Sequence, residues 1–149
     1  MKKTSLDDYA GKYLVLFFYP YDFNKQFQDE IIDFSENADK FKKLNCELLG
    51  CSIDSHFSHM NYINKPRNEG GLGPINFPLM ADVDRKIAGD YGVLVSGGNE
   101  SGACLRSTFI IDNKSVVRHL AINDFAGHLK ADEILRMVKG IQEVDKLKP

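Results

Sequence analysis

Tyr13-Leu14-Val15-Leu16-Phe17-Phe18-Tyr19 is an unbroken apolar and aromatic run, closed by Pro20. A short continuous run that ends at a breaker reads as a strand buried on both faces. Such a strand sits in the middle of a sheet, and the rest of the chain must supply a covering layer on each side.

Outward from this strand, Ile31, Phe34, Ala38 and Phe41 recur at spacings of three and four, which predicts a helix from Asp29 onward. Cys46 to Ile53 reads as a second strand and His56 to Asn64 as a short helix ended by Pro66. Arg67 to Pro74 is a glycine-containing loop, Leu79-Met80 belongs to a short strand, and Arg85 to Tyr91 to a helix. Val95 to Gly102, with three glycines, two serines and an asparagine, is expected to be a mobile loop. Thr108 to Ile111 and Val116 to Ile122 are two strands joined by a hairpin at Asp112-Asn113-Lys114-Ser115. A last helix begins near Ala131, with Ile134, Leu135, Val138 and Ile141 on its apolar face. The order β-α-β-α-β-α-β-β-α predicts an α/β fold with a central mixed sheet and helices on both faces. The thioredoxin-like arrangement is the simplest topology that satisfies it.

The chain has 149 residues, which predicts a single domain over 1–149. With 21 acidic against 19 basic side chains, its net charge of −2 argues against a nucleic-acid partner, which demands a Lys/Arg excess. No window holds ~18 consecutive apolar residues, so no membrane span is expected. The N-terminus, Met1 to Asp8, has no apolar core after its two lysines and does not read as a secretory signal. The three cysteines form no CxxC pair. Cys46 and Cys51 lie on one strand, separated by ~16 Å on opposite faces, and cannot bond to each other there. Free thiols suit a reducing cytosol, so a cytoplasmic location is expected. His56 and His59 have a spacing that can ligate zinc, but no third ligand stands near them in the sequence, and no metal is expected. Gly70-Gly71-Leu72-Gly73 neither follows a clear strand nor opens a helix, so it is not a dinucleotide fingerprint, and no cofactor is expected.

Several segments together resemble a typical 2-Cys peroxiredoxin of the animal type. They are YLVLFFYPYDF at 13–23, KLNCELLGCSIDSHF at 43–57, GGLGP at 70–74, FIID at 109–112, VRHLAIN at 117–123 and DEILRMVK at 132–139. The resemblance implies a thioredoxin-fold peroxidase, which reduces hydroperoxides with a cysteine. A thiolate attacks the O–O bond, and its charge is held at a helix N-terminus beside a cation. The family carries this sulfur in a Pro-x-x-x-Thr/Ser-x-x-Cys segment, with a remote arginine.

The matching stretch here is Pro20-Tyr21-Asp22-Phe23-Asn24-Lys25-Gln26-Phe27. Pro20 is kept, Asn24 stands for the hydroxyl residue, and Phe27 stands for the peroxidatic cysteine. Of the family's following Pro-Thr-Glu only the acid survives, as Glu30 after Gln28 and Asp29. The remote arginine is matched by Arg106, and a second family arginine aligns with Leu129. By the same resemblance the chain lacks the family's N-terminal hairpin and its C-terminal tail with the resolving cysteine. Phenylalanine has no lone pair to attack oxygen, which excludes a peroxidase working through position 27.

These substitutions lead to definite expectations. The Phe27 ring should fill the old pocket, and Arg106 should pair with Asp29 or Glu30 in the first turn of the helix. Cys46 and Cys51 should be buried. Cys104, after the glycine loop, should be the exposed thiol and share a strand face with Arg106. The function expected is that of a peroxiredoxin-like pseudoenzyme acting as a binding or assembly subunit. It would form a homodimer through Val116 to Ile122, a hetero-oligomer with an active peroxiredoxin, or part of a larger assembly. The rival is a redox enzyme of the same family using a relocated cysteine such as Cys104.

Overall fold

All six residues of the first strand, β1 (Tyr13–Phe18), are buried, and β1 is the middle strand of a five-stranded sheet. The computed structural model describes residues 1–123 and 130–148. The other strands are β2 (Cys46–Ser52), β3 (Leu79–Ala81), β4 (Arg106–Ile111) and β5 (Val117–Asn123), in the spatial order β3-β2-β1-β4-β5. β1 pairs parallel with β2, in register from Tyr13↔Cys46 to Phe18↔Cys51, and antiparallel with β4. β2 pairs parallel with β3, and β4 antiparallel with β5, so the sheet is mixed as the element order predicts.

Alternation along β1 divides the core into two clusters. Tyr13, Val15 and Phe17 meet α1 (Lys25–Glu36), α2 (Ala38–Lys42) and α5 (Ala131–Lys146) through Phe27, Ile31, Phe34, Phe41, Ile134 and Val138. Tyr62 of α3 (His56–Asn64) joins the same cluster. Leu14, Leu16 and Phe18 face the other way, onto α4 (Lys86–Asp90) through Ala88 and onto Val93. Helices therefore cover both faces, and the chain has the thioredoxin-like fold.

Several boundaries shift by one or two residues, β4 starting at Arg106 rather than Thr108 and β5 running over Val117–Asn123 rather than Val116 to Ile122, and the first helix differs at both ends. The first helix starts at Lys25 rather than Asp29, because the Asn24 side chain accepts a hydrogen bond from the Gln26 amide at 3.0 Å and caps it. It also ends at Glu36. The Asn37 side-chain amide donates to the Asp33 carbonyl at 2.8 Å, competing with the helix ladder, and a separate short helix, α2, follows. Among the described residues no helix is long and apolar enough to cross a membrane.

Candidate functional site

β1 ends at Phe18, and the chain runs through Tyr19-Pro20 and Tyr21 to Asn24 before α1 begins. A buried polar network holds this turn. The Tyr19 hydroxyl donates to Asp22 at 2.7 Å, and the Ser58 hydroxyl donates to the same carboxyl group at 2.8 Å. His59 Nδ1 lies 2.7 Å from Asp22 Oδ2, and its Nε2 lies 3.0 Å from the Met80 carbonyl oxygen. Both ring nitrogens thus face acceptors, an arrangement that satisfies an imidazolium. Burial pushes the His59 pKa down, but the hydrogen bond and charge of Asp22, with Met80 and Asp54, outweigh it and the net direction is up. Asp54 accepts from the Asp22 amide at 2.9 Å and from the Ser52 hydroxyl at 2.6 Å. Both His59 nitrogens are thus engaged within the protein. No group of three or more metal-ligating side chains occurs among the described residues.

With the helix phase set by the Asn24 cap, Phe27 is its third residue and points into the core, 2% exposed. The Arg106 guanidinium, at the start of β4, lies 5.7 Å from the centre of the Phe27 ring, within cation–π range. Arg106 is itself 4% exposed and ion-paired to Glu30. Burial pulls its pKa below the ordinary arginine value. Of the two carboxylates expected to serve it, Glu30 does so. Asp29 instead pairs with Lys25 at 2.8 Å on the exposed side of α1. Neither acid is in the first turn, since α1 begins four residues before Asp29. The remaining space bounded by Phe17, Phe18, Glu30, Phe34, Arg106, Ser107 and Asn123 is about 10 Å³. That is no more than a single water needs. Leu129 lies outside the described residues.

Gln28 was only a departure from a motif in the sequence, yet the structure gives it a structural task. Its side chain is buried and its amide nitrogen donates to the carbonyls of Arg67 (3.1 Å) and Gly71 (2.6 Å). It ties α1 to the glycine loop, where Gly71 packs so closely that a Cβ would meet the Lys65 carbonyl oxygen at 2.1 Å.

Cys46 and Cys51 are buried, as expected, in opposite core clusters. Cys104 is a correction. It is 1% exposed, not the exposed thiol, and it packs with Cys51 in the cluster against α4. β4 begins only at Arg106, and Cys104 precedes it in an isolated bridge to Leu94. Strand alternation therefore does not carry from Arg106 back to Cys104, and the two do not share a face. Burial pushes the thiol pKa of Cys46 and of Cys104 up to about 12, and raises that of Cys51 as well. Sequence reading missed the Asp22–His59 network. The signal available was an acid just past the breaker at Pro20, facing a helix that carries His59.

Comparison with known proteins places this geometry. Residues 1–120 match the model of the AhpC/TSA family. Peroxiredoxin-2 of Bos taurus is 51% identical over 145 residues, 97% of this chain and 71% of the relative. The mitochondrial thioredoxin-dependent peroxide reductase of Homo sapiens is 49% identical over 144 residues, 97% of this chain and 55% of the relative. The reduced 2-Cys peroxiredoxin of Plasmodium vivax superposes with a TM-score of 0.88 at 39% identity, over 95% of this chain and 72% of that one. Prx1a of Plasmodium yoelii, modified at its N-terminus and described as an artifactual octamer, gives 0.87 at 42% identity, over 96% and 81%. On the family match over most of its length, the relatives and the shared fold, this chain belongs to the typical 2-Cys peroxiredoxins of the AhpC/TSA family.

Proposed function

We propose that this chain is a peroxiredoxin-fold subunit without thiol peroxidase chemistry, acting through binding and assembly. One observation carries the reading. The position that matches the peroxidatic cysteine holds a buried phenylalanine, and the arginine beside it is engaged by Glu30. A ring cannot attack oxygen, and the space beside Arg106 is only about 10 Å³. The three thiols are buried, with pKa values raised by desolvation, and a thiol kept protonated is a poor nucleophile.

Assembly has a candidate surface in β5. It is an edge strand, and Val116, Val117, Leu120 and Ile122 are 52%, 47%, 51% and 48% exposed. An open edge with apolar side chains is a template for another chain. A homo-oligomer through this strand is the first form to expect, and pairing with an active relative the second.

A second reading is redox activity through another cysteine. It is supported by the relatives, one of which is named as a peroxide reductase, and by the three thiols that remain. Peroxide consumption with thioredoxin and its reductase separates the two. The assembly reading expects a rate equal to buffer. Saturable consumption that disappears when one cysteine is replaced would establish the redox reading.

A further inference from the structure

Cys51 and Cys104 are 53 positions apart in the chain, yet they lie in one buried cluster with Leu49, Phe18, Ala88 and Val93. Cys51 is near the end of β2, opposite Phe18 of β1 on one side and Met80 of β3 on the other. Cys104 is held by its bridge to Leu94 and by the adjacent Leu105 amide, which donates to the Val93 carbonyl at 2.7 Å. Besides burial, which raises both thiol pKa values, Cys104 and Asp82 push that of Cys51 up, and Asp82 pushes that of Cys104 up. Cys46 is excluded from this group, because it packs in the other cluster, across the sheet.

We propose that Cys51 and Cys104 are an oxidisable dithiol that closes to an internal disulfide, joining the end of β2 to the segment that leads into β4. The oxidant is a hydroperoxide. One sulfur, as thiolate, attacks the distal oxygen, the O–O bond breaks, and a sulfenic acid and an alcohol (water, for hydrogen peroxide) form. The second sulfur attacks the sulfenic sulfur, the S–S bond forms, the S–O bond breaks, and the hydroxide leaves as water with the proton of the second thiol. Two thiols are oxidised by two electrons, and one hydroperoxide is reduced.

Neither thiol is at the surface, so the reaction requires an opening. The segment before Cys104 provides one. Residues 96–101 are exposed, and Gly97, Gly98 and Gly102 have positive φ. The segment closes through Val95–Ala103 and Gly102–Val95 backbone bonds, one bond from Arg85 to the Gly102 carbonyl, and one from Tyr21 to Glu100. With opening as the slow step and both thiols protonated when closed, oxidation is slow and stoichiometric. It is a modification of the protein and not a catalytic turnover, so it does not rest on the function proposed above. Its readout is a covalent link, which succeeds or fails independently of peroxide consumption.

The test is a peptide map of the full chain after hydrogen peroxide, and separately after the thiol oxidant diamide, with free thiols alkylated under denaturing conditions. The free thiols should fall from three to one. A Cys51–Cys104 linked peptide should appear in the monomeric chain, with Cys46 alkylated in full. Cys51→Val and Cys104→Ala should each abolish the link. Three thiols still free after both oxidants, a link that includes Cys46, links only between chains, or a link that survives either replacement would each overturn the proposal. The map of the unmodified chain decides the matter even if a variant folds poorly.

Discussion

Glu30 of α1 is ion-paired to Arg106 of β4, and both side chains are nearly sealed from solvent, at 11% and 4% exposure. The pair joins a helix to the sheet beside the buried Phe27 ring. Two charges out of water are tolerated only while each satisfies the other, so removing one partner costs more than the pair is worth.

Arg106→Ala and Glu30→Gln should each lower unfolding stability by on the order of 3–5 kcal/mol. On the assembly reading proposed above, neither should change peroxide consumption, because the side chain beside Arg106 is Phe27 and not a thiol. Urea denaturation followed by circular dichroism gives the first quantity. A stability change below about 1 kcal/mol in both variants would show that the pair is open to water, as exposed pairs contribute about that much or less.

Restoring sulfur alone should restore little activity. In Phe27→Cys the thiol would sit beside an arginine already engaged by Glu30. Loss of the ring should cost about 2–4 kcal/mol, near the lower part of the range for aromatic truncation. Stopped-flow peroxide consumption and a thermal melt on the same sample check both parts. Fast, saturable turnover would mean that Arg106 exchanges Glu30 for the thiolate without difficulty.

The exposed apolar positions of β5 should report assembly. Leu120→Lys, or Ala121→Asp beside it, should shift any oligomer toward monomer in size-exclusion chromatography with light scattering. Like charges brought face to face across a strand pair are unfavourable. An unmodified chain that is monomeric at micromolar concentration removes the edge-pairing idea.

His59 should give stability a pH dependence of definite sign. Its folded pKa lies above the ordinary 6.5, through Asp22 on Nδ1 with Met80 on Nε2 and Asp54 nearby, against the opposing effect of burial. A group with a raised folded pKa contributes in full below its unfolded value and loses that contribution as pH rises through the folded one. Melting temperature should therefore fall as pH rises above about 6.5. His59→Gln should flatten that slope while leaving the acid side of the profile unchanged. An identical slope in the variant would assign the effect to other groups.

Much of this protein was legible in its residues. The 13–19 run was too apolar for any strand but a central one, and the alternation of 3.6-residue and unbroken apolar segments carried the element order of the whole sheet. That position 27 cannot act as a nucleophile is a matter of side-chain chemistry: no tertiary arrangement makes a phenyl ring attack oxygen. The partner of Arg106 was decided only in three dimensions. At about 100° per residue, Glu30 is about 60° from Phe27 around the helix and Asp29 about 160°. Once the Asn24 cap sets the start, Phe27 turns inward, Glu30 follows it, and Asp29 is left to Lys25 and solvent. Cys104 shows the same limit from the sheet side. Counting alternate residues back from Arg106 assumes that the strand continues, whereas pairing with Leu94 begins a different path there and buries the thiol beside Cys51. Local sequence determines which side chains are available and which elements they form. Helix phase, strand start and the meeting of residues tens of positions apart depend on long-range packing, and these determine which side chains meet.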